Sequence, residues 1–172
     1  MKIVFLDIDG VLCTNKSVKE PKLPFPDDFH MPFRTGWDRL DQECITRLNK
    51  ITKESGAKIV ISSSWRVSCE NDRQFKYLTD YLYSEGVEAE IIDKTPTHYP
   101  EHESPWGVGE RITNRKIEIQ QWLKYTSEAI ESFIILDDDH DMDNLSSSHI
   151  CTDESIGIQD YDVEKAIRIL NE

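Results

Sequence analysis

IVFLDIDG, residues 3–10, decides how the rest of the chain reads. Ile3 to Leu6 form an unbroken apolar run, the pattern of a strand buried on both faces. Asp7 and Asp9 follow with one residue between them. Side chains two apart on a strand face the same way, so both carboxylates can point into one crevice. Gly10 permits a sharp exit. Taken alone, D-x-D-G is equally compatible with two ordinary surface acids, so its meaning depends on what the chain brings beside it.

Outward from this stretch, short apolar runs alternate with helical patterns. Ile59-Val60-Ile61 reads as a second buried strand, Val87 to Ile92 as a third, Phe133 to Leu136 as a fourth, and Ile150 with its neighbours as a short fifth. Helical spacing covers 38–55, 71–85 and 114–126, with Gly56 and Gly86 as stops. Asp162 is expected to cap a last helix with Val163, Ala166, Ile167 and Leu170 on one face. This alternation predicts an α/β fold, a three-layer, doubly wound parallel sheet with right-handed crossovers. Its 172 residues suffice for one domain, 1–172, with a core that needs no staples. Ligands in such sheets sit outside the carboxyl ends of the strands.

Two segments break the rhythm. Residues 13–37 hold Pro21, Pro24, Pro26 and Pro32 together with Phe25, Phe29, Phe33 and Trp37. Residues 94–110 hold the other three prolines. Loops this long inside a compact domain usually act as lids or binding loops. The aromatics of 13–37 suit either base stacking or a small core of the insertion's own. His98 and His102 are four apart, but Pro100 between them opposes the helix that would make them a metal pair.

Composition narrows the class. Twenty basic residues against 33 acidic give a net charge of −13. Stable binding to duplex nucleic acid needs many Lys and Arg on phosphates, so it is not expected, although a short oligonucleotide end or a nucleotide held by a metal is compatible. Adsorption to an anionic membrane is disfavoured too. Cys13, Cys44, Cys69 and Cys151 lie far apart with no C-x-x-C, as free thiols in a reducing compartment would. The amino terminus lacks the apolar stretch of a secretion signal, and no window approaches a spanning helix, so a cytoplasmic protein is expected. The oligomeric state is not legible.

The reactive residue types fall at the expected strand ends. The second strand runs into Ser62-Ser63-Ser64-Trp65-Arg66, whose hydroxyls and backbone N–H groups can meet phosphate oxygens. The fourth runs into Asp137-Asp138-Asp139-His140-Asp141-Met142-Asp143. Mutual repulsion among so many acids costs stability unless a cation or a basic partner offsets it. A calcium loop counted from Asp137 fails, with Met142 at the sixth position and Ser148 at the twelfth. The third helix opens with Asn114-Arg115-Lys116, placing cations against the helix dipole, where an anion facing them would offset the cost. Two acid clusters make a hard oxygen site suited to Mg²⁺, and a hydroxyl with a guanidinium suits phosphate. Arg66 can reach a second phosphate or pair with a surface acid. His140 can tune the acid run or sit in solvent. Trp65 and Trp122 read as core.

DIDGVL, IVIS, a basic residue and ILDDD, in that order, resemble the haloacid dehalogenase (HAD) superfamily of Mg²⁺-dependent phosphatases, over residues 7–138. More narrowly, SSSWR, RKIEIQQWL, LDDDHDM and ICTDESIGI resemble a subgroup associated with nucleic-acid repair and nucleotide phosphatases. The resemblance implies a HAD-like, Rossmannoid fold with 13–37 as a minimal cap. It implies Asp7 as a nucleophile forming an aspartyl-phosphate. Asp9 would protonate the leaving oxygen and then activate water, its backbone carbonyl on the metal. Ser62 would hold the phosphate, with Ser63 and the Gly10 turn close by. The basic role falls on Arg115 or Lys116, with R-x-x-E-I favouring Arg115, although the superfamily more often uses lysine. Asp138 would ligate Mg²⁺ with Asp137 in support, completing a metal set with Asp7 and Asp9. The implied partner is a small phosphorylated substrate, a nucleotide or nucleic-acid end among the candidates. An acid at residue 9 favours phosphoester hydrolysis over dehalogenation. The alternatives are a non-catalytic Mg²⁺- or phosphate-binding module and a phosphotransferase or dehalogenase of the same superfamily.

Overall fold

The computed structural model describes residues 1–15, 17, 40–69, 71–97, 114–140 and 142–172. Among them, five strands form one parallel sheet: β1 (Lys2–Leu6), β2 (Lys58–Ile61), β3 (Ile91–Lys94), β4 (Ser132–Asp137) and β5 (His149–Cys151), in the spatial order β3-β2-β1-β4-β5. The helices are α1 (Gln42–Ser55), α2 (Asp72–Ser84), α3 (Arg115–Tyr125) and α4 (Asp160–Asn171). A 3-10 turn (Ser64–Ser68) follows β2, and a shorter one (Asp143–Leu145) precedes β5.

The apolar run of β1 divides by parity, as a strand buried on both faces must. Val4 and Leu6 join a cluster with Leu48 of α1, Leu82 of α2 and Ala166 of α4. Ile3 and Phe5 join Ile119 and Trp122 of α3 on the opposite face. Phe5 meets Trp122 edge-on at 5.4 Å between ring centres. Three layers result, as the alternation predicts, with α3 alone among these four helices on its side.

Local chemistry sets the element ends. Asp41 caps α1, accepting from Glu43 N at 2.9 Å, and Gly56 closes it in the left-handed region. Asn114 caps α3, accepting from Ile117 N at 3.1 Å. Several expected boundaries move. The first helix begins at Gln42 rather than at 38, because Asp41 is its cap. Val87 does not begin the third strand, because its N–H bonds Leu82 O at 3.1 Å and closes the end of α2. Asp162 does not cap the last helix. Gln159 takes that position, and the Asp162 carboxylate reaches back to accept from Gln159 N at 2.9 Å. The insertion at 13–37 falls almost wholly outside the described residues, as do His98 and His102. The four cysteines are free thiols. Among the described residues, no helix is long and apolar enough to cross a membrane.

Candidate active site

Sheet register assembles the site. Leu6 lies beside Ile61 on one side and Leu136 on the other, and Ile61 lies beside Lys94. One residue further, the ladder continues through Asp7 N to Leu136 O at 2.9 Å, Ser62 N to Leu6 O at 2.8 Å and Thr95 N to Ile61 O at 2.9 Å. Thr95, Ser62, Asp7 and Asp137 therefore form one transverse row, about 4.8 Å apart from strand to strand. Residues in register share a face of a parallel sheet, and this parity matches that of Phe5 and Val60, on the α3 side.

Arg115, the first residue of α3, closes on the row. Its Nη1 forms ion pairs with Asp7 Oδ2 and with Asp137 Oδ2, the latter at 2.7 Å. All three groups are largely or fully buried. Burial pulls the Arg115 pKa down, but the charges of Asp7 and Asp137 outweigh it and hold it above that of a free guanidinium. Burial, then the charge of Asp7, push Asp137 up to about 7 against the partial relief from Arg115. Asp138 is raised for the same two leading reasons.

One carboxylate oxygen from each of Asp7, Asp137 and Asp138 lies within 4.8 Å of the others. Three hard oxygen donors, two of them buried and pressed together against their own repulsion, fit a divalent cation of the Mg²⁺ class. Gly10 makes room for the third. A Cβ at Gly10 would come within 2.3 Å of Asp138 Oδ2, and its φ of +68° is one that side chains rarely adopt. Asp9 stands apart from this trio: Trp65 Nε1 donates to both its carboxylate oxygens, at 3.1 and 3.0 Å.

Two buried hydroxyls of the row, Ser62 Oγ and Thr95 Oγ1, have no hydrogen-bond partner among the described residues. A buried polar atom left unpaired costs about 1–3 kcal/mol, so a hydroxyl beside Asp7 without a partner is suited to an incoming oxygen. Ser63 does something else: its Oγ accepts from Trp65 N at 3.3 Å and caps the 3-10 turn. Lys116 forms an ion pair with Asp143, whereas Arg115 is the basic candidate that meets Asp7. His140 is exposed, its Nδ1 2.9 Å from Cys151 Sγ. Arg66 is neither a free phosphate ligand nor a surface partner. It is buried and paired with buried Glu118 of α3.

Three supporting residues carry no role in the sequence reading. Trp65 holds Asp9, Glu118 meets Arg66, and Thr152 Oγ1 donates to Gly10 O at 2.9 Å. All three lie inside quoted motifs, SSSWR, RKIEI and ICTDESIGI, which were the available signal. That last motif also turns through Gly157, where a Cβ would come within 2.5 Å of Val11 O. The segment after β5 is thereby packed against the exit of β1. An open cavity of about 700 Å³ borders Asp138, with Thr152, Glu154 and Tyr161 in its lining.

No curated protein and no solved structure matched the chain. One family model did, over residues 3–163, nearly the whole sequence: the HAD domain in Swiss Army Knife RNA repair proteins. With the parallel fold and the acid row at its carboxyl edge, that match makes the chain a member of this HAD family, whose general activity is phosphohydrolysis.

Proposed function

We propose that the protein is a Mg²⁺-dependent phosphomonoesterase that works through an aspartyl-phosphate on Asp7 and acts on a nucleotide or a polynucleotide end. The observation that carries this reading is the in-register row, in which Arg115 bridges Asp7 and Asp137 while the neighbouring Ser62 hydroxyl is buried and unpartnered.

Asp7 Oδ attacks phosphorus as the bond to the leaving oxygen breaks, and Asp9 gives its proton to that oxygen. Water then attacks the phosphoryl group, Asp9 takes a proton from it, and phosphate leaves with Asp7 restored. Trp65 holds Asp9 in place through both exchanges. Ser62 donates to one phosphate oxygen, and Arg115 neutralises others once they compete for its guanidinium. Asp7, Asp137 and Asp138, with the Asp9 carbonyl, would hold the Mg²⁺. When bound, it supplies charge neutralisation that lets an anionic carboxylate approach an anionic phosphate.

The family description, RNA repair, and the open cavity beside Asp138 support a bulky leaving group such as a nucleoside or chain terminus. The net charge of −13 speaks against a long duplex. The test is phosphate release, with and without Mg²⁺, from nucleoside monophosphates, sugar phosphates, and oligonucleotides bearing 3′- or 5′-phosphates. Mg²⁺-dependent release from the nucleotide or oligonucleotide class is expected. Binding of Mg²⁺ with no release from any of them would instead favour the non-catalytic module.

A further inference from the structure

Arg66 and Glu118 make a buried ion pair outside the acid row, 2% and 0% exposed. A buried pair is a weak source of stability, because desolvation of both ions offsets their attraction. Its value here lies in what it joins. Arg66 Nε donates to Thr95 O at 2.9 Å, Nη1 to Ser63 O at 2.6 Å, and Nη2 to Pro96 O at 3.2 Å as well as to Glu118. One rigid, planar group thus grips the chain immediately beyond β2 and β3. Glu118 lies three residues after Arg115, on the same face of α3. Beyond it, Trp122 Nε1 ties the helix to Asp93 at 2.7 Å.

We propose that the Arg66–Glu118 pair is a positioning device. It fixes the first turn of α3 against the end of β2, and so sets the separation between the Arg115 guanidinium and the Ser62 hydroxyl. Ser62 precedes Ser63, one of the three residues whose carbonyls Arg66 grips, and Arg115 is one helical turn from Glu118, with which Arg66 pairs. The two arms that would close on a phosphate are therefore linked through a single guanidinium. A misplacement of about 1 Å at such a site can cost roughly a hundredfold in rate. This role rests on the proposed function only in what Arg115 and Ser62 would grip. The linkage itself belongs to the fold.

The test is Glu118→Gln, which preserves volume and leaves the Arg66 bonds to Ser63, Thr95 and Pro96 in place. The first readout is the Arg115 Nε–Hε resonance, assigned by its loss in Arg115→Lys and independent of turnover. It is expected to shift or broaden in Glu118→Gln while amides of α1 and α4 stay put. The second is kcat on the best phosphoester, expected to fall about a hundredfold in the wild-type background. The fall should be far smaller in the Arg115→Lys background, because coupled residues are not additive. An unmoved Arg115 resonance in folded Glu118→Gln, or additive losses in the cycle, overturns the proposal. If the wild type releases no phosphate, the proposed function fails, and the resonance alone still decides the linkage. Should Glu118→Gln not fold, the double variant Arg66→Met/Glu118→Met, which leaves no lone buried charge, carries the same readout.

Discussion

Asp7 and Asp9 are two residues apart in the chain, yet their surroundings differ. Asp7 is paired with Arg115 in the row, whereas Asp9 receives an indole N–H on both oxygens. Asp7→Asn keeps the shape and removes the proposed nucleophile, so phosphate release should fall by ~10³-fold or more with the fold intact by circular dichroism. Residual turnover near the wild-type rate would rule out the aspartyl-phosphate. Trp65→Phe keeps an aromatic side chain and removes the donor. A hydrogen bond to a charged group is worth about 1.5–3 kcal/mol, so kcat should drop roughly ten- to a hundredfold with KM little changed. The acids and Ser62 are legible in the sequence because their residue types and places at strand ends are local facts. Trp65 reads as core, and it is core. That its Nε1 reaches Asp9 depends on how the turn after β2 folds over the end of β1, which no spacing records.

Among the elements, β1, β2 and β4 were readable because each is a short, unbroken apolar run that stops at acids or serines, too short for a helix and too apolar for a loop. The start of β3 was not. Val87 is apolar enough for a strand, but the closing bond of α2 claims its N–H, and pairing with β2 begins later. Between Arg115 and Lys116 the sequence favours Arg115 only through the R-x-x-E-I resemblance, since adjacent residues on a helix point about 100° apart and the helix phase comes from packing. The exit of β1 offers a sharper test. Gly10→Ala puts a methyl where Asp138 Oδ2 lies and imposes a left-handed residue, at about 1–2 kcal/mol for the conformation alone. The melting temperature should fall, and Mg²⁺ should restore less of it than in the wild type. Full restoration would mean that Asp138 does not need the space Gly10 leaves.

For the molecule as a whole, crowded acids tie stability to pH, and the proposed Mg²⁺ site would tie it to the cation as well. Asp137 titrates at about 7 in the fold against an ordinary 3.8, so between these values the folded state holds a proton that the unfolded chain has released. Metal-free stability should therefore decline as pH rises from about 4 to about 7 through this group. Mg²⁺ needs the ionised carboxylate, so the rise in melting temperature it causes should be larger at pH 8 than at pH 5 by calorimetry. Equal shifts at both pH values would place the cation away from Asp137.

The transverse row has an implication for how this protein tolerates change. Each strand delivers its chemical group by counting residues from the ladder, and parity reverses at every step. Deleting one residue within β4 would slide Asp138 into the position of Asp137 and swap the two faces of that strand. Substitutions away from the row should thus degrade the protein by degrees, while single-codon deletions inside β1, β2 or β4 should inactivate it outright. The same deletions in the turn after α2, between Val87 and Glu90, leave the count to Asp7, Ser62 and Asp137 intact.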